Sequence, residues 1–275
     1  MTPEKDEMDA IIDRHPFRKM IFDRVPFESN RILDFGCNQG ELLLRLQRDK
    51  SCRELYGVEV NENVRETLEK FLDGSWILDL GNEDADLGTE YRNFFNYIII
   101  HDALEHLYDP WYVLPKLGGY LAPEGKILIA VPNFRYWSLW SQVVMGDFEY
   151  GSPGGLMNED HVRWFTLKSL RELVAMSGLA EISYDFQFPY GVNLNLLKDR
   201  LQAPISTLKI PPPEISDSET FMTVQFPGHV DIRSDYMEFL ANKIIMVCGH
   251  GRKREEPRPI QTGSLGRRRS RLSPG

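Results

Sequence analysis

The chain has 275 residues, of which 42% are hydrophobic and 27% are charged, and its formal net charge is −9. This length allows one large α/β domain with a well-buried core or two small domains, and the composition is ordinary for a soluble globular protein. The negative charge disfavours nucleic acid and membrane surfaces as partners, because phosphate groups would be repelled, and no apolar run reaches the ~20 residues of a membrane span.

The N-terminus and the cysteines indicate the cell compartment. The first ten residues, MTPEKDEMDA, are charged and contain no signal-peptide core. The chain has three cysteines, an odd number, and their spacing does not match a metal site: Cys37, Cys52 and Cys248. They indicate free thiols in a reducing compartment, so we expect a cytoplasmic protein.

Short apolar runs alternate with helical patterns along the chain, which predicts βαβ units and a mostly parallel sheet. Residues 9–25 predict an amphipathic helix. Strands are predicted at 31–35, 54–60, 75–80, 94–100, 125–131, 179–188 and 242–250. Helices are predicted at 41–50, 61–72, 110–121 and 166–178. The strands are almost continuously apolar, which predicts a seven-stranded, Rossmann-like α/β fold with helices on both faces.

Three segments stand outside this alternation. Residues 132–165 are rich in aromatic residues and glycine, and 189–237 form a long, proline-containing connection, which predicts a lid or insertion over a ligand site. Residues 252–275 hold eight basic and two acidic residues and have no apolar periodicity, which predicts a disordered basic tail. The folded domain is therefore expected over 1–251.

The loop after the first strand, DFGCNQG, contains Asp34, Gly36 and Gly40, and Glu59 closes the second strand. Ligands of doubly wound sheets bind at the carboxyl ends of the strands. The glycine triplet of dinucleotide-binding loops is missing, and Asp34 would repel a pyrophosphate at the following helix. A carboxylate suits a cofactor with a cationic amino group, such as S-adenosylmethionine, whose ribose would suit Glu59.

An ordered series of motifs strengthens this interpretation. LDFGCNQG, GVEV, DL, FNYIIIHDALEHLYDP and LAPEGKILIAVPN, over about 30–180, resemble the class I S-adenosylmethionine-dependent methyltransferases. VPNFRYWSLW, GDFEY and EDHVRWFTLKSLRELVAMSGL resemble a bacterial branch active in glycan and natural-product pathways. Two positions depart from the family pattern, Asn38 and Asn96. Asparagine tolerates a positive φ, so we expect the turn at Asn38 to form.

The resemblance implies a cofactor site along the ends of the first four strands. The first loop would hold the methionine part of S-adenosylmethionine, and Glu59 would hold its ribose. The residues after the second and third strands would hold the adenine, and the methyl group would lie beside the end of the fourth strand. The implied residues are Asp34, Gly36, Cys37, Gly40, Glu59, Val60, Asp79, Leu80, His101 and Asp102. Within this set, the Cys37 thiol is expected to pack rather than to react, because no base lies next to it in sequence.

The segment HDALEHLYDP leaves three interpretations open. His106 or His161 could serve as the general base that takes the proton of an acceptor hydroxyl. Asp102, Glu105, His106 and His161 could bind a divalent metal, as a similar cluster does in 2′-O-methyltransferases of small RNAs. Glu105 and His106 could also only hold a turn. We assign His161 and His106 as catalytic and expect no metal.

The expected function is methyl transfer from S-adenosylmethionine to a small biosynthetic metabolite, foremost a sugar hydroxyl. Alternatives are an N-methyltransferase for an amino sugar or natural product, a metal-dependent RNA methyltransferase, and a non-catalytic partner subunit with the same fold. A homodimer is compatible with the sequence. One further set of side chains would either line the acceptor pocket or form core beneath the lid: Trp137, Trp140, Phe148, Tyr150, Trp164 and Phe165.

Overall fold

The structure is a computed structural model that describes residues 3–14, 17–146, 150–151, 156–189, 207–210, 222–225 and 233–251. The strands are β1 Asn30–Phe35, β2 Arg53–Glu59, β3 Gly74–Ile77, β4 Phe95–His101, β5 Leu121–Pro132, β6 Leu179–Gln187, β7 Thr207–Ile210, β8 Met222–Gln225 and β9 Lys243–His250. The α-helices are α1 Pro3–Arg14, α2 Lys19–Phe22, α3 Glu41–Lys50, α4 Arg65–Phe71, α5 Pro110–Gly118, α6 Trp137–Met145, α7 Leu167–Met176 and α8 Arg233–Leu240.

Seven strands form one sheet in the order β3-β2-β1-β4-β5-β9-β6. The pairs from β3 to β5 are parallel, whereas β9 is antiparallel to both β5 and β6. This confirms the predicted seven-stranded, mostly parallel sheet. The strand order reverses between β1 and β4, so the crevice above their carboxyl ends is where a ligand is expected.

Side chains of the central strands alternate between two apolar clusters, one on each face of the sheet. In β5, Ile127 and Ile129 belong to the apolar cluster on one face, whereas Leu128 and Ala130 belong to the cluster on the other. Successive side chains of a strand point to opposite faces, so a continuous apolar run is required where both faces are covered. The second face is covered by α3, whose leucines include the fully buried Leu43.

Local capping residues define the starts of α5 and α7. Asp109 accepts a hydrogen bond from the backbone N–H of Tyr112 at 3.0 Å, and Pro110 occupies the first position of α5. Thr166 and Ser169 form a reciprocal capping box at the start of α7. These ends confirm the predicted starts of the two helices.

Several element bounds differ from the prediction: β3 ends at Ile77 rather than 80, and α4 begins at Arg65 rather than 61. The single helix expected over 9–25 is instead the pair α1 and α2, and Pro16 between them cannot donate a helical hydrogen bond. Strand β5 begins at Leu121 rather than 125, because a register shift between Phe95 and Tyr97 accommodates the segment that contains proline and glycine.

The predicted lid segments are described only in part. Within 132–165 lies α6, and within 189–237 the strands β7 and β8 pair as a separate two-stranded antiparallel sheet. The basic tail over 252–275 lies outside the described residues. No helix in the described ranges combines the length and apolarity that crossing a membrane requires.

Candidate functional site

A cavity of about 220 Å³ opens at the carboxyl edge of the sheet, beside the strand-order reversal. The cavity is lined by seven of the residues that the sequence assigned to a site. They come from the ends of β1, β2 and β4 and from the turn after β3. They are Gly36, Glu59, Val60, Asp79, Leu80, Asp102 and His106. Topology therefore brings together residues that are up to 70 positions apart in the chain.

The loop after β1 depends on three residues with a positive φ. Gly36 has φ +78°, and a Cβ there would lie 3.1 Å from the Cβ of Ala103. Asn38 has φ +50° and Gly40 has φ +79°, so the expectation that asparagine allows this turn is confirmed. The loop closes with a 2.8 Å hydrogen bond from the Gly40 N–H to the Cys37 carbonyl.

Glu59 joins two loops of the site. Its Oε2 accepts from the backbone N–H of Asn38 at 2.8 Å, and its Oε1 accepts from those of Val60 at 2.8 Å and Asn61 at 3.2 Å. Three backbone donors thus fix the carboxylate at the cavity wall. A carboxylate offers about four acceptor positions, which leaves capacity for a hydroxyl of a bound ligand.

The far side of the cavity combines apolar and polar surface. Two apolar residues line this side of the cavity: Val60, whose side chain is 67% exposed, and Leu80, which is fully buried. Asp79 is exposed, and its Oδ1 accepts from the Gly81 N–H at 2.8 Å. Apolar contacts with one adjacent carboxylate suit a flat heteroaromatic ring that carries an exocyclic amine.

Five residues of the lining were not assigned from the sequence: Phe35, Val58, Leu78, Ala103 and Leu107. All five are apolar neighbours of assigned residues. Apolar residues next to a strand end are read from sequence as core, so no sequence signal separates a pocket wall from the core behind it.

Five assigned residues are not part of the cavity lining: Asp34, Cys37, Gly40, His101 and His161. The Cys37 side chain is fully buried with Val64 and Leu68, and burial raises the pKa of its thiol well above the usual range. The Cys37 side chain thus packs beneath the loop, as expected for a thiol that does not react, and a contact of Cys37 with the cofactor stays a prediction.

Asp34 lies near the end of β1 and is fully buried. Neither of its carboxylate oxygens has a hydrogen-bond partner. Burial raises its pKa to about 8, and the positive charge of Arg18 opposes this rise. A buried carboxyl group without a partner is costly unless a cation or a donor approaches it, so this position fits the ammonium end of a ligand.

The segment after β4 is joined to the loop before α7. The Glu105 carbonyl accepts from the N–H groups of Val162 at 2.9 Å and Arg163 at 3.0 Å. These bonds bring His106 and His161 together, with ring centroids 4.8 Å apart and planes at 80°. The two histidines that the sequence assigned as catalytic are therefore in contact.

Each histidine of the pair has one ring nitrogen beside a backbone carbonyl. The Nδ1 of His106 is 3.2 Å from the Asp160 oxygen, and the Nδ1 of His161 is 3.0 Å from the Leu156 oxygen. A carbonyl accepts only, so each Nδ1 carries the proton and each Nε2 of a neutral ring is an acceptor. Burial lowers the pKa of His161, which favours its neutral form.

Glu105 completes the cluster. It is 1% exposed, and neither carboxylate oxygen has a hydrogen-bond partner. Burial raises its pKa to about 8, and the charge of Asp102 adds to the rise. Ligand atoms of Glu105, His106 and His161 all lie within 4.8 Å of one another, a spacing that could hold a metal ion.

Asp102, the fourth member of the sequence-derived metal set, is engaged elsewhere. Its Oδ2 accepts a hydrogen bond from the ammonium of Lys243 on β9. Burial acts to raise the pKa of Asp102, but the charge of the Lys243 ammonium and its hydrogen bond act against this, and the pKa of Asp102 lies below its usual value. His101 is buried and neutral, because burial lowers its pKa to about 3.

The aromatic residues of the predicted lid divide between core and surface. Phe165 is 3% exposed and belongs to the main apolar cluster, whereas Trp140, Tyr150 and Trp164 are exposed by 38% or more. Phe148 lies outside the described residues. The exposed aromatics remain candidates for an acceptor surface.

Residues 8–184 match the family model described as a methyltransferase domain. The chain belongs to this methyltransferase family. It is 28% identical over 148 residues to trans-aconitate 2-methyltransferase of Pseudomonas aeruginosa, covering 53% of this chain and 51% of that protein. The protein of the same name from a second strain is 31% identical over 127 residues, which cover 46% and 44% of the two chains. The chain thus spans about half the length of the curated relatives it matches.

Solved structures share the fold at low sequence identity. A Haloferax volcanii methyltransferase, solved with the Trm112 methyltransferase activator, has a TM-score of 0.52 at 15% identity and covers 89% of this chain and 93% of its own. A methyltransferase of Mesorhizobium loti has a TM-score of 0.51 at 10% identity, covering 86% and 99%. These likenesses support the Rossmann-like methyltransferase fold.

S-adenosylmethionine is the cofactor that this methyltransferase site has to hold, and the residues present fit it. The partnerless carboxyl group of Asp34 suits its ammonium, the oriented carboxylate of Glu59 suits its ribose hydroxyls, and Val60 with Leu80 suits its adenine. The individual contacts of these residues with the cofactor stay predictions.

Proposed function

We propose that this protein transfers a methyl group from S-adenosylmethionine to a hydroxyl of a small biosynthetic metabolite, foremost a sugar. The observation that carries the proposal is the contact between His106, on the wall of the cofactor cavity, and His161 beside it. The bound cofactor supplies an electrophilic methyl group. The chain has to supply orientation, exclusion of water and an acceptor for the hydroxyl proton.

We assign the proton acceptor to the Nε2 of His161. The Leu156 carbonyl holds the Nδ1 proton, and burial lowers the pKa of the ring, so the base form prevails near pH 7. His161 does not line the cavity itself but contacts His106, which does, and it belongs to the predicted lid segment. His106, which lines the cavity, would orient His161 and separate it from the cofactor.

The surrounding charge supports the proposed metabolite class. Asp102 and Glu105 lie beside the histidine pair, and the nearby cation Lys243 is bound to Asp102. A neutral hydroxyl compound meets no repulsion there, and the exposed Trp140 and Trp164 offer faces on which sugar rings pack. The predicted lid segments, 132–165 and 189–237, would then enclose the acceptor.

A second candidate acceptor is a carboxylate, because the relatives from Pseudomonas aeruginosa are named trans-aconitate 2-methyltransferases. Carboxylates are already ionised and need no general base, so the histidine pair would have no proton to take. A polycarboxylate would also approach Asp102, whose lowered pKa keeps it negatively charged. The site therefore favours a hydroxyl over a carboxylate, and a neutral amine is the next alternative.

An acceptor screen tests the proposal. Purified full-length protein is incubated with S-adenosylmethionine labelled in its methyl group and with panels of sugars, nucleotide sugars, amino sugars, polycarboxylic acids and short RNAs. Label in a sugar or other neutral hydroxyl compound, lost in His161→Ala, is the expected result. Label only in polycarboxylates, amines or RNA would overturn the acceptor class.

Cofactor binding separates an enzyme from a non-catalytic subunit with the same fold. Calorimetry should detect binding of S-adenosylmethionine to the isolated chain. Absence of binding would contradict the enzyme proposal as a whole, whereas binding without any methylated product in the screen would favour the partner-subunit alternative.

A further inference from the structure

Lys243 reaches the carboxyl edge of the sheet from the strand that follows the predicted lid segment. It is the first residue of β9, which runs antiparallel to β5, and its backbone lies opposite Pro132, the last residue of β5. The start of β9 therefore lies at the edge where the parallel strands end. Lys243 stands outside the motif series that marked the site in the sequence.

The backbone before Lys243 is held by Asn133, which directly follows β5 and is fully buried. The side-chain amide of Asn133 donates to the carbonyls of Glu238 at 2.6 Å and Ala241 at 2.8 Å. Its backbone N–H donates to the Asn242 carbonyl at 2.9 Å. These three bonds fasten the turn between α8 and β9 to the end of β5, so the Lys243 side chain starts from a fixed backbone.

The ammonium of Lys243 donates to the Oδ2 of Asp102, which directly follows β4 and lines the cavity. The two side chains are 21% and 34% exposed, so the pair is largely shielded from water. Asp102 has φ +52°, which is uncommon for a residue other than glycine, and its N–H donates to the Ala130 carbonyl at 3.0 Å. A carboxylate held in this way at a cavity wall indicates a functional constraint on its position.

The ligand of this cavity changes its charge during methyl transfer. S-adenosylmethionine carries a positive sulfonium, whereas the product S-adenosylhomocysteine has a neutral thioether sulfur. A bare carboxylate on the cavity wall would attract the cofactor more strongly than the product. It would also stabilise the charged ground state more than the transition state, in which positive charge leaves the sulfur, and such an interaction opposes catalysis. A carboxylate that is paired with an ammonium exerts a much weaker attraction.

We propose that Lys243 offsets the charge of Asp102 toward the sulfonium, so that Lys243 sets the relative affinity of the site for S-adenosylmethionine and S-adenosylhomocysteine. Lys243 does not line the cavity and acts through Asp102, which does. It is therefore a positioning residue. The competing interpretation is a purely structural tie between the ends of β4 and β9.

Calorimetry with the two ligands separates these roles. Lys243→Met should raise the ratio of the affinity for S-adenosylmethionine to that for S-adenosylhomocysteine by roughly 5- to 20-fold, because one positive charge near the sulfonium is lost. Asp102→Asn should lower this ratio by a similar factor, because the ammonium loses its partner. The double variant should return to within about twofold of the unmodified protein, as should Lys243→Arg, which keeps the ion pair.

Lys70→Met is the matched control for the loss of one positive charge. Lys70 lies on α4, pairs with Glu7 at 2.5 Å and does not line the cavity. This variant should leave the affinity ratio unchanged. Loss of a structural tie would weaken both ligands alike, so an unchanged ratio in Lys243→Met would overturn the inference.

The double variant keeps the test valid if Lys243→Met alone does not fold. It should reverse the shift of the ratio in Asp102→Asn, and a double variant that keeps the full shift would show that Lys243 has no part in it. The inference rests on the proposed function through its cofactor, and the two failures are distinguishable. If the unmodified chain binds neither ligand, the proposed function fails as well, whereas binding of both with one ratio in every variant overturns the inference alone.

Discussion

The imidazole ring of His106 lies edge-on to that of His161, with centroids 4.8 Å apart. The first ring borders the cofactor cavity and the second belongs to the loop before α7. Two hydrogen bonds to the Glu105 carbonyl hold the loops together. This contact links the cofactor side of the site to the segment predicted to cover the acceptor.

The contact predicts different effects for the two histidines. His161→Ala should lower the single-turnover rate of methyl transfer by roughly 10²- to 10⁴-fold, because the hydroxyl proton loses its acceptor. Cofactor affinity should be nearly unchanged, since His161 does not line the cavity. His106→Ala should cost less in rate and more in affinity. A larger rate loss in His106→Ala, with the fold intact by circular dichroism, would reverse the assignment of the base.

Glu59→Ala should weaken S-adenosylmethionine binding by roughly 1.5–3 kcal/mol, because a charged acceptor for ribose hydroxyls is removed. Loss of the bonds to Asn38 and Val60 adds to this effect. Calorimetry measures the change. Glu62→Ala is the control, since Glu62 is an exposed carboxylate just beyond the same strand and pairs with Arg65. Unchanged affinity in Glu59→Ala would rule out the ribose assignment.

Metal removal distinguishes the interpretations of the Glu105, His106 and His161 cluster. We predict that activity survives dialysis against a chelator, because Lys243 already binds Asp102 and the surrounding motifs resemble metal-free enzymes. The measurement is methyl transfer before and after chelation. Loss of activity that Mg²⁺ or Mn²⁺ restores would establish a metal site in place of a simple base.

The buried carboxyl group of Asp34 predicts a pH dependence of stability. Burial raises its pKa from 3.8 to about 8, so the folded, cofactor-free protein keeps a proton that the unfolded chain releases above pH 4. The free energy of unfolding should therefore fall as the pH rises from about 4 to 8. Asp34→Asn should reduce this fall between pH 5.5 and 7.5 by on the order of 1–2 kcal/mol.

Urea denaturation at the two pH values measures the difference. The charges that act on Asp34 are those of Arg18, Glu41 and Glu59, and they remain in the variant. Asp84→Asn, at an exposed carboxylate, should behave like the unmodified protein. An identical pH slope in Asp34→Asn would show that Asp34 is ionised in the fold.

The sequence by itself determined the order of the elements and most residues that line the cavity at the sheet edge. Apolar runs and turn signals placed the seven sheet strands, and the DFGCNQG loop with Glu59 indicated the ligand edge. These features are local: a strand period, a cap or a positive φ at Asn38 depends on neighbouring residues. The tail beyond 251 and most of the segment over 189–237 stay predictions, since they lie outside the described residues.

Only the tertiary structure decided which side chains face the ligand and which are engaged by others. Cys37 stands in the same loop as Gly36, yet its side chain is buried with Val64 and Leu68 behind the loop. Asp102 is bound by Lys243, 141 positions away, and Arg18, from a segment without a motif, pairs with Glu41 at the start of α3. Such contacts arise when distant elements pack onto one sheet edge, and no local pattern encodes the partner that packing selects.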